Sequence, residues 1–258
     1  MTKEIAGKGV VVTGGGNGIG RAIATRLASD GARIIVNDVN ADAANEVAAA
    51  LGGIAIVADL STAAGVTALV DGAISHLGKI DIFFSNAGID AGFGEDVDDR
   101  VWERVIDINV MAHVRAARAL VQHWLSEGGG RFVVTASAAG LLSMIGNAPY
   151  SVSKHAAVGF AEWLSIEYGN RGIIVQAICP QGVNTDMLRN SGEVQELLSR
   201  DTAIEPDDLA ELVRAALDDD RFLILPHPEV AEYYAARASN PDRWLAGMRR
   251  LHQRTFGR

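Results

Sequence analysis

Cysteine is almost absent from this chain of 258 residues, since Cys179 is its single thiol. One thiol cannot form an internal disulfide or supply the several thiolates of a structural zinc site. The six histidines contain no H-E-x-x-H pair, and no G-x-S-x-G segment occurs. We therefore expect neither a metal site nor the nucleophile of a serine hydrolase.

Positive charge and long apolar runs are also scarce. Lys and Arg number 23 against 32 Asp and Glu, and the resulting net charge of −9 argues against binding to nucleic acid or to an anionic membrane surface. No run of about 18 apolar residues could cross a bilayer, and the first residues lack the apolar stretch of a signal peptide. We expect a cytoplasmic protein that binds neither nucleic acid nor a membrane.

Proline is scarce too, with six residues, whereas glycine is abundant, with 28. Short apolar runs alternate with segments of helical periodicity, which predicts a parallel sheet covered by helices on both faces. The predicted strands cover residues 9–13, 33–38, 54–57, 80–84, 130–135, 173–178 and 222–225. The predicted helices cover residues 19–28, 41–51, 63–77, 101–124, 150–168, 206–217, 230–237 and 243–254. We expect the α/β class, as one Rossmann-like domain over residues 1–258 with a doubly wound sheet of about seven strands.

A glycine-rich turn separates the first predicted strand from the first predicted helix. It covers residues 13–20 with the spacing G-x-x-x-G-x-G, which differs from the G-x-G-x-x-G dinucleotide fingerprint. A turn without a ligand also needs glycine, but the free amides of a helix start attract phosphate, so this position favours a pyrophosphate site. The predicted contacts are Thr13, Gly14, Asn17, Gly18, Ile19 and Gly20.

Asp38 ends the second predicted strand. An acid at this point can accept hydrogen bonds from both hydroxyls of the adenosine ribose, so we interpret it as a ligand rather than as a solvated loop acid. A 2′-phosphate would meet this carboxylate with no compensating base, because Asn17, Asn37 and Asn40 are neutral. We therefore predict NAD as the cofactor, in preference to NADP.

Six motifs, in the order expected, resemble the short-chain dehydrogenase/reductase family. They are the turn at 13–20, Asp59-Leu60, Asn86-Ala87-Gly88, Asn109, Ser137, and Tyr150 with Lys154. The resemblance covers residues 8–185. It implies a core for cofactor binding and catalysis at 8–185, followed by a substrate lid and C-terminal helices at 186–258.

Tyr150 and Lys154 lie four positions apart in a predicted helix, so their side chains project from one face. A tyrosine with an ordinary pKa of about 10 is a poor base, but a nearby ammonium and a positive nicotinamide ring favour the phenolate. We predict that Tyr150 exchanges the substrate proton as general acid and base. The resemblance implies that Ser137 holds the substrate oxygen, that Tyr150 and Lys154 also contact the cofactor, and that Asn109 completes a proton relay.

The resemblance also assigns the walls of the cofactor site. Asp59 and Leu60 would flank the adenine, and the segment 86–88 would line the pocket with Asn86, Ala87 and Gly88. Contacts near the nicotinamide would come from Pro180, Val183 and Thr185.

Two segments depart from the family pattern. Gln181 stands where the family usually has glycine, so it either alters the local backbone or reaches the substrate space. After residue 225 the chain continues with Pro226-His227-Pro228 and two predicted helices, where many relatives end in Asp-Gly-Gly. This difference puts in doubt the usual subunit contact and any substrate group from this end.

The substrate site is predicted to be apolar. The predicted contacts are Ser137, Leu142, Met144, Tyr150, Gln181 and Met187. The last of these begins a segment, 187–204, where the family usually carries a mobile lid. Apolar side chains here favour a hydrophobic secondary alcohol or ketone over a phosphorylated or acidic substrate, although they equally suit packing within the protein.

We therefore predict an NAD-dependent short-chain alcohol dehydrogenase or ketone reductase. Two other interpretations are an NAD-binding sensor on the same fold and a family enzyme that acts on a diol or carbohydrate. The intact Ser137, Tyr150 and Lys154 favour an enzyme, because a sensor needs no proton chemistry. The resemblance also implies a homo-oligomer, a dimer or tetramer, with contacts through the helices at 101–124 and 150–168.

Overall fold

The apolar runs form seven parallel strands of one sheet. The structure is a computed structural model that describes residues 4–94, 96–191 and 203–257. The strands are β1 Gly9–Thr13, β2 Arg33–Asp38, β3 Ile54–Val57, β4 Ile82–Ser85, β5 Gly130–Thr135, β6 Ile173–Ile178 and β7 Leu223–Ile224. Their order is β3-β2-β1-β4-β5-β6-β7, which confirms the predicted α/β class and doubly wound parallel sheet.

Helices connect the strands and cover both faces of the sheet. They are α1 Gly18–Ser29, α2 Ala41–Leu51, α3 Ala63–Leu77, α4 Asp99–Ile106, α5 Ala112–Ser126, α6 Ala148–Tyr168, α7 Asp186–Arg189, α8 Pro206–Ala216, α9 Glu229–Ser239 and α10 Pro241–Phe256. Successive strand residues point to opposite faces, so each face of the sheet packs into its own hydrophobic core. Val11 and Phe83 pack with α3, α5 and α6, whereas Val10, Val12 and Phe84 pack with α1, α2 and α8.

The strand order reverses between β1 and β4: β2 and β3 are added on one side of β1, and β4 to β7 on the other. β1 pairs with β2 on one side and with β4 on the other. Thr13 is in register with Asn37, and Val12 with Phe84, so the carboxyl ends of the three strands finish at the same edge. In open parallel sheets such a reversal opens a crevice where ligands bind.

The helix predicted for 101–124 is interrupted. A π-helix, Asp107–Met111, lies between α4 and α5, and it contains Asn109. A π turn adds one residue to the helical repeat, and an apolar period of 3.6 residues cannot reveal it. The interruption places Asn109 where its side chain is fully buried.

Several predicted boundaries were wrong by a few residues. The strand predicted at 80–84 is Ile82–Ser85, and the last strand has only two residues. The helix predicted from residue 150 begins at Ala148, because Asn147 Oδ1 caps it by accepting a hydrogen bond from the Tyr150 amide at 3.0 Å. The predicted lid at 187–204 falls partly outside the described residues, which omit 192–202.

The described residues contain neither a membrane-spanning helix nor a cluster of metal ligands. None of the described helices is both long and apolar enough to cross a membrane. Within the same ranges, no three His, Cys, Asp or Glu side chains are grouped so as to hold a metal ion.

Candidate active site

The glycine turn between β1 and α1 is fixed by the residues beneath it. Thr13 Oγ1 accepts hydrogen bonds from the backbone amides of Asn86 at 2.8 Å and Ala87 at 2.9 Å. Gly14 has a φ of +61°, a conformation that favours glycine. A Cβ on Gly20 would lie 2.2 Å from the Gly14 carbonyl oxygen, so the start of α1 can approach the turn only because glycine is there.

A cleft of about 1000 Å³ runs along the carboxyl edge of the sheet. At its floor Asn17 begins α1 without a side-chain capping bond, which leaves the first amides of the helix available to a phosphate. These amides and the missing Cβ atoms of the turn fit a dinucleotide. The predicted cofactor contacts that line the cleft are Gly14, Asn17, Gly18, Ile19, Gly20, Asp38, Asp59, Leu60, Asn86, Ala87, Gly88, Tyr150, Lys154, Pro180, Val183 and Thr185. Thr13 is buried behind the turn and does not line the cleft, so it supports the turn instead of contacting a ligand in the cleft.

Asp38 is held rigidly at the end of β2. Its Oδ2 accepts a hydrogen bond from the Gly16 amide at 3.0 Å, and its Oδ1 accepts one from the Asn40 amide at 3.0 Å. The neighbouring Asn37 is buried, and its Nδ2 donates to the carbonyl of Ile56 at 2.9 Å, which ties β2 to β3. The carboxylate therefore keeps one position beside the turn.

Ser137, Tyr150 and Lys154 converge in the middle of the cleft. Lys154 Nζ donates to the Thr135 carbonyl at 3.0 Å and lies 5.5 Å from the centroid of the Tyr150 ring. Ser137 follows β5, and its Oγ accepts from the Ala139 amide at 3.1 Å and donates to the Pro180 carbonyl at 3.4 Å. The parallel sheet and α6 thus bring together three side chains that the sequence separates.

Burial in the cleft changes the pKa values of Tyr150 and Lys154. Desolvation raises the pKa of Tyr150 to about 12, and the nearby Ser137 hydroxyl acts to lower this pKa. Desolvation also lowers the pKa of Lys154 to about 8. A nearby ammonium is expected to favour the phenolate. In the protein alone burial outweighs that effect, so the phenol needs a further positive charge nearby to ionise.

Asn109 supports the cleft from outside it. Its Oδ1 accepts from the Ile89 amide at 2.8 Å, and its Nδ2 donates to the Ile89 carbonyl at 2.9 Å and to Ser153 Oγ at 3.1 Å. A Cβ on Gly88 would lie 3.3 Å from Asn109 Oδ1 and 3.4 Å from Lys154 Nζ. Asn109 does not line the cleft, and its predicted place in a proton relay stays a prediction.

The substrate end of the cleft contains both predicted and unpredicted residues. The predicted contacts Ser137, Leu142, Met144, Tyr150, Gln181 and Met187 all line it. The helices α9 and α10 contribute four residues that are not among the predicted contacts, namely Tyr233, Trp244, Met248 and Leu251. Their spacing predicts helices, but no motif indicates that these helices fold back over the site.

Several contacts hold the C-terminal helices against the cleft. Gln181 Nε2 donates to Glu229 Oε1 at 3.0 Å, and the Gln181 amide donates to His227 Nδ1 at 3.1 Å. Arg237 also donates to the Leu141 carbonyl. The glutamine at the usual glycine position therefore fastens the C-terminal segment to the loop after β6.

Comparison with known proteins agrees with this geometry. Residues 8–196 match the family model of the short chain dehydrogenases. The chain belongs to this family. It is an oxidoreductase, and the resemblance found in the sequence is confirmed.

The relatives of this short-chain dehydrogenase include two dehydrogenases that are named for their alcohol substrates. A cyclohexanol dehydrogenase from Acinetobacter sp. (strain SE19) is 32% identical over 229 residues, and the match covers 85% of this chain and 91% of that protein. A (−)-trans-carveol dehydrogenase from Rhodococcus erythropolis is 36% identical over 209 residues, or 73% and 76% of the two chains. The crystal structure of a short-chain dehydrogenase/reductase from Burkholderia phymatum in complex with NAD is 30% identical, with a TM-score of 0.86 over 93% of this chain and 96% of that one.

The substitution Gly20→Ala should damage the dinucleotide site of this short-chain dehydrogenase. Because the added Cβ would lie 2.2 Å from the Gly14 carbonyl oxygen, the turn must shift. We expect NADH affinity, measured by fluorescence titration, to fall by about tenfold or more. Gly169→Ala is the control, since residue 169 has a φ of −55° and no neighbour within 4 Å of an added Cβ. Unchanged affinity in a folded Gly20→Ala protein would contradict the assignment.

Proposed function

We propose that this enzyme oxidises hydrophobic secondary alcohols, and reduces the corresponding ketones, with NAD(H). The observation that carries the proposal is the meeting of Ser137, Tyr150 and Lys154 in a cleft whose outer wall is largely apolar. The cyclohexanol and carveol dehydrogenases among its relatives support this substrate class.

Tyr150 is the proposed acid and base. In the oxidation the alcohol O–H passes its proton to the Tyr150 phenolate, while the C–H bond of the same carbon breaks as hydride. When bound, NAD⁺ supplies the hydride acceptor and a positive ring that favours the phenolate. Ser137 donates a hydrogen bond to the substrate oxygen, and the Lys154 ammonium stabilises the phenolate. In the reduction Tyr150 returns the proton to the carbonyl oxygen.

We also propose that NAD is preferred over NADP. Two backbone amides fix the Asp38 carboxylate, so it cannot turn away from a ribose at this point. Its neighbours in the chain that line the cleft, Asn37 and Val39, carry no charge. A 2′-phosphate would therefore meet a fixed negative charge.

The apolar end of the cleft supports a hydrophobic substrate. Leu142 and Met144 face it from the loop before α6, and Tyr233, Met248 and Leu251 close it from the C-terminal helices. Such walls favour the body of a cyclic or branched alcohol by removing its apolar surface from water.

We further propose a cytoplasmic homo-oligomer, a dimer or tetramer, that associates through α6. Val152, Trp163 and Ile166 recur at helical spacing on the outer side of this helix. Trp163 is 52% exposed and Ile166 is 82% exposed, which is unusual for large apolar side chains that share one face. Covering this stripe with a second copy removes it from water.

Tyr150→Phe tests the catalytic assignment. Without the hydroxyl no proton can be exchanged, so kcat should fall by about a hundredfold or more while NADH affinity is retained. Alcohol oxidation needs the Tyr150 phenolate, and ketone reduction needs the phenol. Because desolvation raises the pKa of Tyr150, the phenol prevails near neutral pH, so wild-type oxidation should speed up with rising pH and reduction should slow down. Steady-state absorbance of NADH measures both directions, and Tyr168→Phe, at the end of the same helix, is the control. A fully active Tyr150→Phe enzyme, or NAD binding without turnover of any alcohol or ketone, would refute the proposal.

Asp38→Ala tests the choice of cofactor. Removing the carboxylate should lower kcat/KM with NAD and raise it with NADP, which shifts the ratio of the two by about tenfold or more. Asp42→Ala, a nearby exposed acid in the first turn of α2, should leave the ratio unchanged. If Asp38→Ala leaves the ratio as it is in the wild type, another residue selects the cofactor.

Light scattering tests the oligomer. The double substitution Trp163→Ser and Ile166→Ser should lower the molar mass in solution, because the apolar stripe on α6 is lost. Val57→Ser removes an exposed apolar side chain from β3, at the edge of the sheet, and should not change the mass. A wild-type monomer, or a double variant of unchanged mass, would exclude this interface.

A further inference from the structure

Asp90 is an acidic residue at the substrate end of the cleft, and it takes no part in the proposed proton and hydride transfer. It follows the 86–88 segment that leaves β4, is half-buried and lines the cleft. The preceding residue, Ile89, is bound through both its amide and its carbonyl by Asn109. The backbone that presents Asp90 is therefore anchored to the π-helix.

Asn147 holds the carboxylate of Asp90. Its Nδ2 donates to Asp90 Oδ1 at 2.5 Å, while its Oδ1 accepts from the Tyr150 amide at 3.0 Å. Asn147 is itself 1% exposed. Aspartate could cap α6 but could not donate to a carboxylate, and serine or threonine would have to serve both partners with one oxygen, whereas asparagine accepts with Oδ1 and donates with Nδ2. Asn147 thus ties Asp90 to the turn that carries Tyr150.

The carboxylate keeps acceptor capacity for a ligand. Among the described residues no hydrogen bond reaches Asp90 Oδ2, although a carboxylate has about four acceptor positions. Desolvation raises the pKa of Asp90, and its charge in turn acts to raise the pKa of Tyr150, so the two groups lie within electrostatic reach. A hydrogen-bond donor on the substrate would offset the cost of this desolvation.

The charges around Asp90 indicate which ligands fit. Two further acids of the described residues line the cleft near this end, Glu229, which Gln181 holds, and Asp186, which pairs with Arg189. Of the described residues that line the cleft, the basic ones are Lys154 and Arg104, and the charge of Arg104 acts on Asp59, a predicted neighbour of the adenine. An anionic substrate would therefore meet several carboxylates and, among the described residues that line this end, gain only Lys154 as a basic partner.

We infer that Asp90 determines specificity at this site by accepting a hydrogen bond from a hydroxyl beside the reacting carbon, and by disfavouring substrates that carry a carboxylate or phosphate. The inference rests on the proposed function. It narrows the substrate class to uncharged, largely apolar alcohols with a second, vicinal hydroxyl. Asp90 touches the substrate in this role, and Asn147 is the residue that positions it.

The ratio of kcat/KM for trans-cyclohexane-1,2-diol to kcat/KM for cyclohexanol tests the hydrogen bond. Asp90→Ala should lower this ratio by about tenfold or more, because one alcohol loses an acceptor and the other does not. The ratio cancels any change in the titration of Tyr150, which serves both alcohols. Asn147→Ser keeps a cap on α6 but frees the carboxylate, so it should lower the ratio less. Asp71→Asn, an exposed acid on α3, is the control.

Asp90→Asn tests the charge while keeping the size of the side chain. It should raise kcat/KM for 2-hydroxycyclohexanecarboxylate relative to its methyl ester by about tenfold. This variant also serves if Asp90→Ala fails to fold, as judged by circular dichroism. Equal losses on both alcohols in Asp90→Ala, or an unchanged acid-to-ester ratio in Asp90→Asn, would overturn the inference about Asp90 alone. If wild-type enzyme that binds NADH oxidises neither alcohol, the proposed function itself fails.

Discussion

Both halves of the site depend on the buried hydroxyl of Thr13. It joins the end of β1 to the segment after β4 through two backbone amides, and Asn86 Nδ2 returns a bond to the Thr13 carbonyl at 2.9 Å. On one side of this junction lies the glycine turn, where an added Cβ on Gly14 would come within 3.0 Å of Ala87. On the other side Gly88 passes close to Lys154. The distance between the proposed phosphate site and the Lys154 ammonium is thus set at the point where the strand order reverses.

Burial then sets the chemistry of the residues that this junction positions. Lys154 is 4% exposed, and its Nζ is held by the Thr135 carbonyl. Desolvation acts on the two partners in opposite directions, raising the pKa of Tyr150 and lowering that of Lys154, so both are disfavoured as ions. In the proposed mechanism a positive nicotinamide ring would act in the opposite direction and favour the Tyr150 phenolate. Ionisation of the proposed base would then be coupled to occupation of the cofactor site.

The sequence predicts most of the sheet and of the cofactor site, because both depend on local patterns. Apolar runs locate strands such as Gly130–Thr135 closely, and glycine spacing locates the turn. Other features depend on partners distant in the chain. Asn109 lies in a π turn that no apolar period reveals, and Thr13 supports the turn rather than lining the cleft. The bond between Asp90 and Asn147 joins residues 57 positions apart, and neither belongs to a motif.

The two ends of the cleft are built in different ways, and this separates cofactor choice from substrate choice. The cofactor end consists of strand ends and backbone amides within the sheet, so its shape follows from the fold. The substrate end is closed by helices that lie outside the sheet, and one of their contacts is Phe256 against Gly146, where a Cβ would come within 2.8 Å of the ring. Substitutions in α9 and α10 can therefore reshape the apolar wall without disturbing the turn at Gly14. Asp90 differs from that wall, since it belongs to the segment after β4 and is anchored by Asn109 and Asn147. The proposed polar selection by Asp90 would consequently depend on the core of the fold, while the proposed fit to an apolar substrate would depend on the C-terminal helices.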